Sequence, residues 1–219
     1  MIKALILDLD GVITDTARFH FLAWKKLADK LGMHFTEKDN ERLKGVDRMT
    51  SLEILLEVNG ACDKFTCEEK ADLAAKKNEY YKAYIKTMTP ADVLPGIPQL
   101  IDDAKKAGIR LAVASASKNA PVVLDRIGLI DRFDYIADAA RVTKQKPDPE
   151  IFTVCAEALG VKPCECLGIE DAQAGIQAIH GAGMTSVGIH VDVTCLEPDI
   201  VLQSTSELNL CELLKREPV

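Results

Sequence analysis

The chain has 219 residues, of which 47% are hydrophobic and 28% are charged, and its formal net charge is -7. A chain of this length can bury a full apolar core, either as one domain or as one domain that carries a smaller insertion. The acidic balance argues against a nucleic-acid-binding protein, because a phosphate backbone is bound by clustered Lys and Arg.

Composition also bears on the compartment. No segment approaches the roughly 20 apolar residues of a membrane span, and the apolar run after Lys3 is too short for a signal peptide. The cysteines are odd in number and scattered, as in a reducing compartment, and Cys164 and Cys166 lack the second close pair of a zinc site. We therefore expect an untargeted cytoplasmic monomer with ordinary thiols. The seven cysteines are Cys62, Cys67, Cys155, Cys164, Cys166, Cys195 and Cys211.

The N-terminal segment predicts a buried strand that ends in two acids. The apolar run from Ile2 to Leu7 is typical of a central parallel strand, and Asp8 and Asp10 follow it. Ligands of open α/β sheets bind beyond the carboxyl ends of the strands. Residues two apart in an extended chain share a face, so both acids can address one ligand, while Gly11 permits a sharp turn. The alternative is a polar turn in which the Asp residues only form Asx turns.

The next part of the chain, to about Met88, has a helical pattern throughout. Thr14, Asp15 and Thr16 offer helix-capping side chains, and apolar residues then recur at helical spacing until Gly32. No strand-like run interrupts this block. The proline-containing segment Thr87 to Gly96 is a predicted linker. The later predicted helices of the block are Glu37–Lys44, Arg48–Val58 and Cys67–Ile85.

Beyond Gly96 the pattern alternates between helices and strands, which indicates right-handed βαβ units and a parallel sheet. We therefore predict an α/β core domain of residues 1–14 and 89–219, interrupted by a helical cap domain of residues 15–88. The predicted helices are Ile97–Ala107, Ala120–Ile127, Glu150–Leu159 and Ala172–Ala182, and the strands are Ile109–Ala114, Tyr135–Ala137, Cys166–Ile169 and Thr185–Ile189.

Three further strand ends carry polar residues that a sheet does not itself require. The segment from Ser115 to Asn119 leads into a helix, where backbone N–H groups favour a phosphate, although plain helix capping by Ser or Asn is the better explanation of this segment taken alone. Lys146 precedes a helix and can hold a phosphate or neutralise a carboxylate, or simply be solvated. Glu170 and Asp171 form a second acidic pair.

Two acidic pairs on one edge of a sheet would repel each other strongly unless a cation lay between them. Carboxylate oxygens, together with an expected phosphate, are the ligands that Mg²⁺ prefers. The sequence therefore predicts a magnesium site at this edge.

These residues, in this order, resemble the four motifs of the haloacid dehalogenase superfamily of phosphotransferases. The motifs are Asp8-Leu9-Asp10-Gly11-Val12, Ser115, Lys146-Pro147 and Glu170-Asp171. The resemblance covers essentially the entire chain. It implies a Rossmann-like parallel-sheet core with a small α-helical cap inserted after the first strand.

Longer segments resemble the β-phosphoglucomutase family within that superfamily. They are Asp10 to Thr16, His20 with Ala23-Trp24-Lys25, Arg42 to Arg48, and Ala114 to Asn119. This resemblance implies a phosphomutase that interconverts β-D-glucose 1-phosphate and D-glucose 6-phosphate through β-glucose 1,6-bisphosphate.

The same resemblance implies roles for the polar residues of the core. Asp8 would be the nucleophile that carries the phosphoryl group, and Asp10 the general acid and base. Mg²⁺ would be bound by Asp8, the backbone carbonyl of Asp10 and Asp171, with Glu170 as a ligand or a support. Ser115 and Lys146 would hold the transferring phosphate.

A mutase must also grip the phosphate that is not being transferred. Arg48 is the main candidate, because a guanidinium binds phosphate bidentately, although an exposed Arg at a helix end is the ordinary alternative. His20 and Trp24 share a helix face and are either residues of the cap core or lining residues of the cleft, where His20 would couple cap closure to Asp10. The remaining residues that the resemblance assigns to substrate binding are Thr16, Lys44, Gly45, Val46, Ser51, Lys77, Ala116, Ser117, Lys118 and Asn119.

Two other functions compete with a mutase. A small-molecule phosphatase would use the same Asp8 chemistry, with water taking the phosphoryl group. A response-regulator receiver also combines acids, a lysine and Mg²⁺, but that class has no helical insertion after the first strand and carries its acceptor on a later strand.

Overall fold

The computed structural model describes residues 1–43, 46–191 and 197–215. By their internal contacts the residues divide into two compact units, one of Met1–Asp15 with Thr89–Val219 and one of Thr16–Met88. We refer to them as the α/β unit and the helical unit. The sequence-based prediction had placed the first boundary one residue earlier, after residue 14.

The α/β unit contains a parallel sheet of six strands in its described residues, in the order β3-β2-β1-β4-β5-β6. The central strand β1 has every residue fully buried, as expected of a parallel strand covered on both faces. The strands are β1 Ala4–Leu7, β2 Arg110–Val113, β3 Tyr135–Ile136, β4 Cys166–Glu170, β5 Thr185–Ile189 and β6 Ile200–Leu202. This is the predicted α/β, Rossmann-like fold class.

The described ranges contain nine α-helices, of which α5 to α9 belong to the α/β unit. Phe152, Ile176 and Ile179 pack in one apolar cluster with residues of the central strands. The helices are α1 Ala17–Lys30, α2 Glu37–Glu41, α3 Arg48–Val58, α4 Cys67–Ile85, α5 Ile97–Lys106, α6 Ala120–Arg126, α7 Glu150–Leu159, α8 Gln173–Gly181 and α9 Leu210–Lys215.

The helical unit consists of α1 to α4 around its own apolar core. Trp24 of α1 and Leu52, Leu55 and Leu56 of α3 belong to this core. Capping boxes fix the starts of α2 and α4, where Thr36 and Thr66 exchange hydrogen bonds with Asp39 and Glu69. None of the helices in the described ranges combines the length and the apolar character needed to cross a membrane.

Most predicted elements are confirmed with bounds that agree to within one residue, and three depart further from the prediction. The bounds of α3, α4, α7 and β5 match the predictions. The prediction for α2 was wrong at its end, because Arg42 and Leu43 form a turn with i to i-3 hydrogen bonds. The short elements β6 and α9 were not predicted.

Candidate active site

The acids after β1 and β4 converge at the carboxyl end of the sheet. These strands are hydrogen-bonded neighbours, with Leu7 opposite Ile169, and the Asp8 N–H donates to the Ile169 carbonyl at 2.9 Å. A carboxylate oxygen of each of Asp8, Glu170 and Asp171 lies within 4.8 Å of the others. We call these three residues the acid cluster. Adjacency of the two central strands thus unites acids that are far apart in the sequence.

Lys146 is the cation of this cluster. Its Nζ lies 2.6 Å from Asp8 Oδ1 and also hydrogen-bonds Glu170 Oε1. Only 11% of its side chain is exposed, which excludes the alternative of a solvated loop lysine. Burial alone would lower the pKa of Lys146, but the charges of Asp8 and Glu170 outweigh it and raise that pKa above its ordinary value. Lys146 is therefore a permanent ammonium.

One ammonium does not neutralise the acids around it. Burial raises the pKa of Asp8 to about 7; Lys146 opposes the shift, and Glu170 and Asp10 add to it. The pKa of Asp171 is raised to about 8. Partial desolvation of its side chain is the main cause, and the negative charges of Glu170, Asp8 and Asp10 add to it. The site consequently has an excess of negative charge that favours a bound cation.

Glu170 has both of its oxygens engaged. Oε1 accepts from Lys146, while Oε2 accepts from the backbone N–H groups of Asp171 and Ala172 at 2.9 and 3.0 Å. Gly175 makes room for this arrangement, since a Cβ there would lie 2.0 Å from Oε1. This geometry suits a carboxylate that orients Lys146 and Asp171.

Gly11 permits the close approach of Asp171. Its φ of +81° lies in the left-handed region, and a Cβ at this position would lie 2.0 Å from Asp171 Oδ2. The Gly11 N–H donates to the Thr14 carbonyl at 2.8 Å, which closes the turn after Asp10. The predicted sharp turn is confirmed, and the structure adds the steric reason why a side chain is not tolerated there.

The segment after β2 lies beside the acid cluster in the strand order. β2 pairs with β1, with Val113 opposite Leu7, so Ser115 follows the strand next to Asp8. Ser115 Oγ accepts from Ser117 N–H at 3.1 Å, and Ser117 Oγ accepts from Asn119 N–H at 3.2 Å. Ser115 and Asn119 are buried, whereas Ala116 and Lys118 are exposed. The hydroxyl groups thus accept hydrogen bonds within local turns, whereas the plain helix capping of the simpler interpretation is not observed, because α6 has no side-chain capping hydrogen bond at its N-cap residue Asn119.

A second polar cluster lies inside the helical unit and consists of His20, Trp24, Lys77 and Tyr81, which we call the helical-unit cluster. Lys77 is buried, and its Nζ lies 2.9 Å from His20 Nδ1 and 4.6 Å from the centroid of the Trp24 ring. The centroid of the Tyr81 ring lies 4.1 Å from that of the His20 ring, with the planes tilted by 39°, and the Tyr81 hydroxyl donates a hydrogen bond to Thr16 Oγ1 at 3.2 Å. The sequence analysis missed Tyr81, although its i,i+4 spacing from Lys77 was a usable signal.

Charge and burial set the state of His20. Burial lowers the pKa of this imidazole well below its ordinary value, and the positive charges of Lys77 and Arg48 lower it further. A neutral His20 therefore accepts from Lys77 at Nδ1 and carries its proton on Nε2. Trp24 is only 2% exposed, which confirms its interpretation as a core residue of this unit.

Arg48 is held at the first position of α3. Asp47 caps the helix, accepting from the N–H groups of Met49 and Thr50 at 2.8 and 3.2 Å. The buried Ser51 donates its hydroxyl to the Asp47 carbonyl at 2.9 Å. Arg48 is half-buried, and Val46 is 40% exposed. The predicted site residues Lys44 and Gly45 lie outside the described residues.

Known proteins resemble this chain in sequence over most of its length. The family model described as a haloacid dehalogenase-like hydrolase matches residues 2–183. The chain is 48% identical over 215 residues to a β-phosphoglucomutase of Bacillus subtilis, covering 98% of this chain and 95% of that protein. A phosphorylated-carbohydrate phosphatase of Thermotoga maritima is 29% identical to it. That match covers 84% of this chain and 83% of the phosphatase.

A solved structure resembles the whole chain. The crystal structure of a β-phosphoglucomutase from Clostridium difficile has a TM-score of 0.92 and 46% sequence identity. The match covers 98% of this chain and 96% of that protein. Sequence and fold comparisons thus point to the same group of phosphoryl-transfer proteins.

Proposed function

This chain belongs to the haloacid dehalogenase-like hydrolase family, and we propose that within it the protein is a phosphomutase that interconverts β-D-glucose 1-phosphate and D-glucose 6-phosphate. The observation that carries the proposal is the 48% identity over 98% of the chain to the Bacillus subtilis β-phosphoglucomutase. The acid cluster with its buried lysine supplies groups suited to phosphoryl transfer. We assign the α/β unit as the catalytic domain and the helical unit as the cap.

The acid cluster suits Mg²⁺. Its donors are carboxylate oxygens, the ligands that this hard cation prefers, and burial together with neighbouring negative charges raises the pKa values of Asp8 and Asp171. Asp8, the backbone carbonyl of Asp10 and Asp171 would hold the ion, with Glu170 supporting them. When bound, Mg²⁺ supplies positive charge to the oxygens of the transferring phosphoryl group.

Asp8 is the nucleophile of the proposed reaction. One carboxylate oxygen attacks phosphorus, the bond from phosphorus to the leaving oxygen breaks, and an aspartyl phosphate forms. In the return step a sugar hydroxyl attacks that phosphorus and Asp8 leaves as a carboxylate. Lys146, already within hydrogen-bond distance of Asp8, holds the phosphoryl oxygens together with Ser115.

Asp10 moves the proton. It donates to the leaving oxygen in one direction and accepts from the attacking sugar hydroxyl in the other, so each proton lost in one step is restored in the reverse step. Asp10 lies two residues beyond Asp8, and the turn closed by the Gly11–Thr14 hydrogen bond follows it. The backbone that follows Asp10 is therefore fixed by this turn.

The helical unit would grip the second phosphate. Arg48 is the proposed bidentate contact, and it stands at the first position of α3, beside Asp47, whose carboxylate accepts from the helix N–H groups as the cap. The other residues proposed for substrate binding are Thr16, His20, Trp24, Lys44, Gly45, Val46, Ser51, Lys77, Ala116, Ser117, Lys118 and Asn119.

A phosphatase is the second candidate, favoured by the named activity of the Thermotoga maritima relative. The two activities differ in what attacks the aspartyl phosphate. The test is to supply Mg²⁺, β-glucose 1-phosphate and a trace of β-glucose 1,6-bisphosphate, and to follow glucose 6-phosphate and free phosphate in parallel. A mutase produces the sugar phosphate in large excess, whereas dominant phosphate release supports the phosphatase.

A further inference from the structure

The loop that brings Lys146 to the acid cluster is closed by a carboxylate outside that cluster. Glu150, the first residue of α7, accepts three hydrogen bonds from the start of this loop. The Thr143 N–H donates to Oε1 at 3.0 Å, and the Thr143 hydroxyl and the Lys144 N–H donate to Oε2 at 2.8 and 2.7 Å. Both oxygens of Glu150 therefore accept hydrogen bonds from residues that precede Lys146 in the chain, whereas Glu150 itself follows it.

The other half of the loop is tied to the same helix start. The Glu150 N–H donates to Asp148 Oδ1, and the Asp148 N–H donates to the Gln145 carbonyl, both at 3.0 Å. Residues 143–150 thus form a closed ring with Lys146 at its tip. The side chain of Lys146 is 11% exposed, whereas that of Lys144, two residues earlier, is 71% exposed.

This ring restricts where the Lys146 ammonium can lie. Lysine is a point charge on a flexible stem, so the backbone from which it projects must be fixed for Nζ to stay within hydrogen-bond distance of Asp8. Glu150 is suited to fix it, because a carboxylate in the first turn of a helix is stabilised there and binds backbone N–H groups strongly.

We propose that Glu150 is a positioning residue whose carboxylate clasps the start of the 143–150 ring and thereby holds Lys146 in the acid cluster. Its consequence for turnover rests on the proposed function, whereas its consequence for the location of Lys146 does not. Glu165 provides a matched control. It also accepts a backbone N–H, from Lys162, and pairs with Lys3, but it precedes β4 at the opposite end of that strand from Glu170.

The first experiment measures lysine acylation in the metal-free protein, read by mass spectrometry of the peptides that contain Lys144 and Lys146. In Glu150→Ala, acylation of Lys146 should rise about 10-fold or more, the factor expected for the loss of one charge-assisted hydrogen bond. Acylation of Lys105, an exposed lysine of α5 outside the ring that is read from its own peptide, is the internal reference. In Glu165→Ala, acylation of Lys146 should stay as in the wild type.

The second experiment measures kcat and KM of the same variants with Mg²⁺ and β-glucose 1-phosphate. Glu150→Ala should lower kcat by about 10- to 100-fold, since displacement of a catalytic group by about 1 Å has effects of this size. KM should change little, because Lys146 does not grip the distal phosphate. Glu150→Gln, which keeps one acceptor oxygen, should fall between the alanine variant and the wild type.

Unchanged acylation of Lys146 in Glu150→Ala, or an equal rise in Glu165→Ala, would overturn the proposal. If Glu150→Ala does not fold, hydrogen exchange at the Thr143 and Lys144 amides of the wild type decides the question. Slow exchange is expected of amides bound to Glu150, and fast exchange at both overturns the clasp. If acylation of Lys146 rises in Glu150→Ala while the wild type itself shows no mutase activity, the clasp is retained and the proposed function is rejected instead.

Discussion

The acid cluster of the α/β unit and the helical-unit cluster are built from opposite charges. In the first, Asp8, Glu170 and Asp171 crowd around one ammonium, and burial and mutual repulsion raise the pKa values of Asp8 and Asp171. In the second, Lys77 is positive, and its charge, together with burial and the charge of Arg48 at the start of α3, keeps His20 neutral. One region therefore favours a cation and the other an anion.

The difference shows how each region tolerates its charge. Backbone N–H groups and Lys146 hold the acids at the ends of two strands, so the geometry is fixed by the sheet. In the helical unit, the Lys77 ammonium lies over the aromatic rings of Trp24 and Tyr81, which stabilise a cation without neutralising it. We infer that the first region performs the transfer of the phosphoryl group and the second contributes to gripping an anionic substrate.

The largest expected effect is in the acid cluster. Asp8→Asn should abolish turnover, because an amide does not form an acyl phosphate. Turnover of the variant is measured as steady-state formation of glucose 6-phosphate, and its folding is checked by thermal melting. Retained turnover in a folded variant would remove Asp8 as the nucleophile.

Asp10→Asn should separate proton transfer from metal binding. The proposed metal ligand at Asp10 is its backbone carbonyl, so Mg²⁺ affinity should be largely retained, while turnover falls by about 10²-fold or more through loss of acid and base catalysis. Calorimetric titration with Mg²⁺ and a kinetic assay on the same preparation test this. Parallel losses of affinity and rate would count against the assigned role.

On the helical side, Arg48→Ala should impair the mutase activity far more than phosphate release. A lost charge-assisted contact to the distal phosphate corresponds to roughly 1.5 to 3 kcal/mol, or about 10- to 150-fold. Arg42→Ala is the matched control, since Arg42 forms an exposed ion pair with Glu57 in the same unit and such pairs contribute little. Equal reduction of both activities would show that Arg48 is not the distal contact.

The smallest expected effect concerns the stability of the helical-unit cluster. Because the pKa of His20 is lowered in the folded state, the unfolded chain binds more protons below about pH 6.5, and the free energy of unfolding falls as the pH falls. Between pH 7 and pH 5 the wild type should lose up to about 2 kcal/mol more than His20→Gln. Urea unfolding of both proteins measures this, and parallel pH profiles would contradict a neutral His20.

The sequence predicted the parts of the site that depend on local pattern. The acids after β1 and β4 follow from a strand-end rule, and the bounds of α3 and α4 from capping residues and periodicity. The placement of Lys146 between Asp8 and Glu170 depends on long-range packing. The sequence alone therefore did not decide whether Lys146 holds a phosphate, neutralises a carboxylate or is solvated.

Other features of the structure could not be predicted from sequence patterns. Tyr81 was missed because its importance comes from contacts with His20 and Thr16 on another helix. The strand β6 has three residues at the edge of the sheet, too few to establish a period. The roles proposed for Ser115 and for the substrate-binding residues remain predictions.

The central claim is that Asp8 accepts a phosphoryl group and returns it to a sugar. The direct measurement uses β-glucose 1,6-bisphosphate carrying ³²P, with a brief incubation, acid quenching and peptide analysis, followed in a second sample by a chase with unlabelled β-glucose 1-phosphate. We predict label on the peptide that contains Asp8, and its transfer to sugar phosphate in the chase. Absence of label from that peptide, or its release as inorganic phosphate irrespective of the added sugar phosphate, would contradict the account.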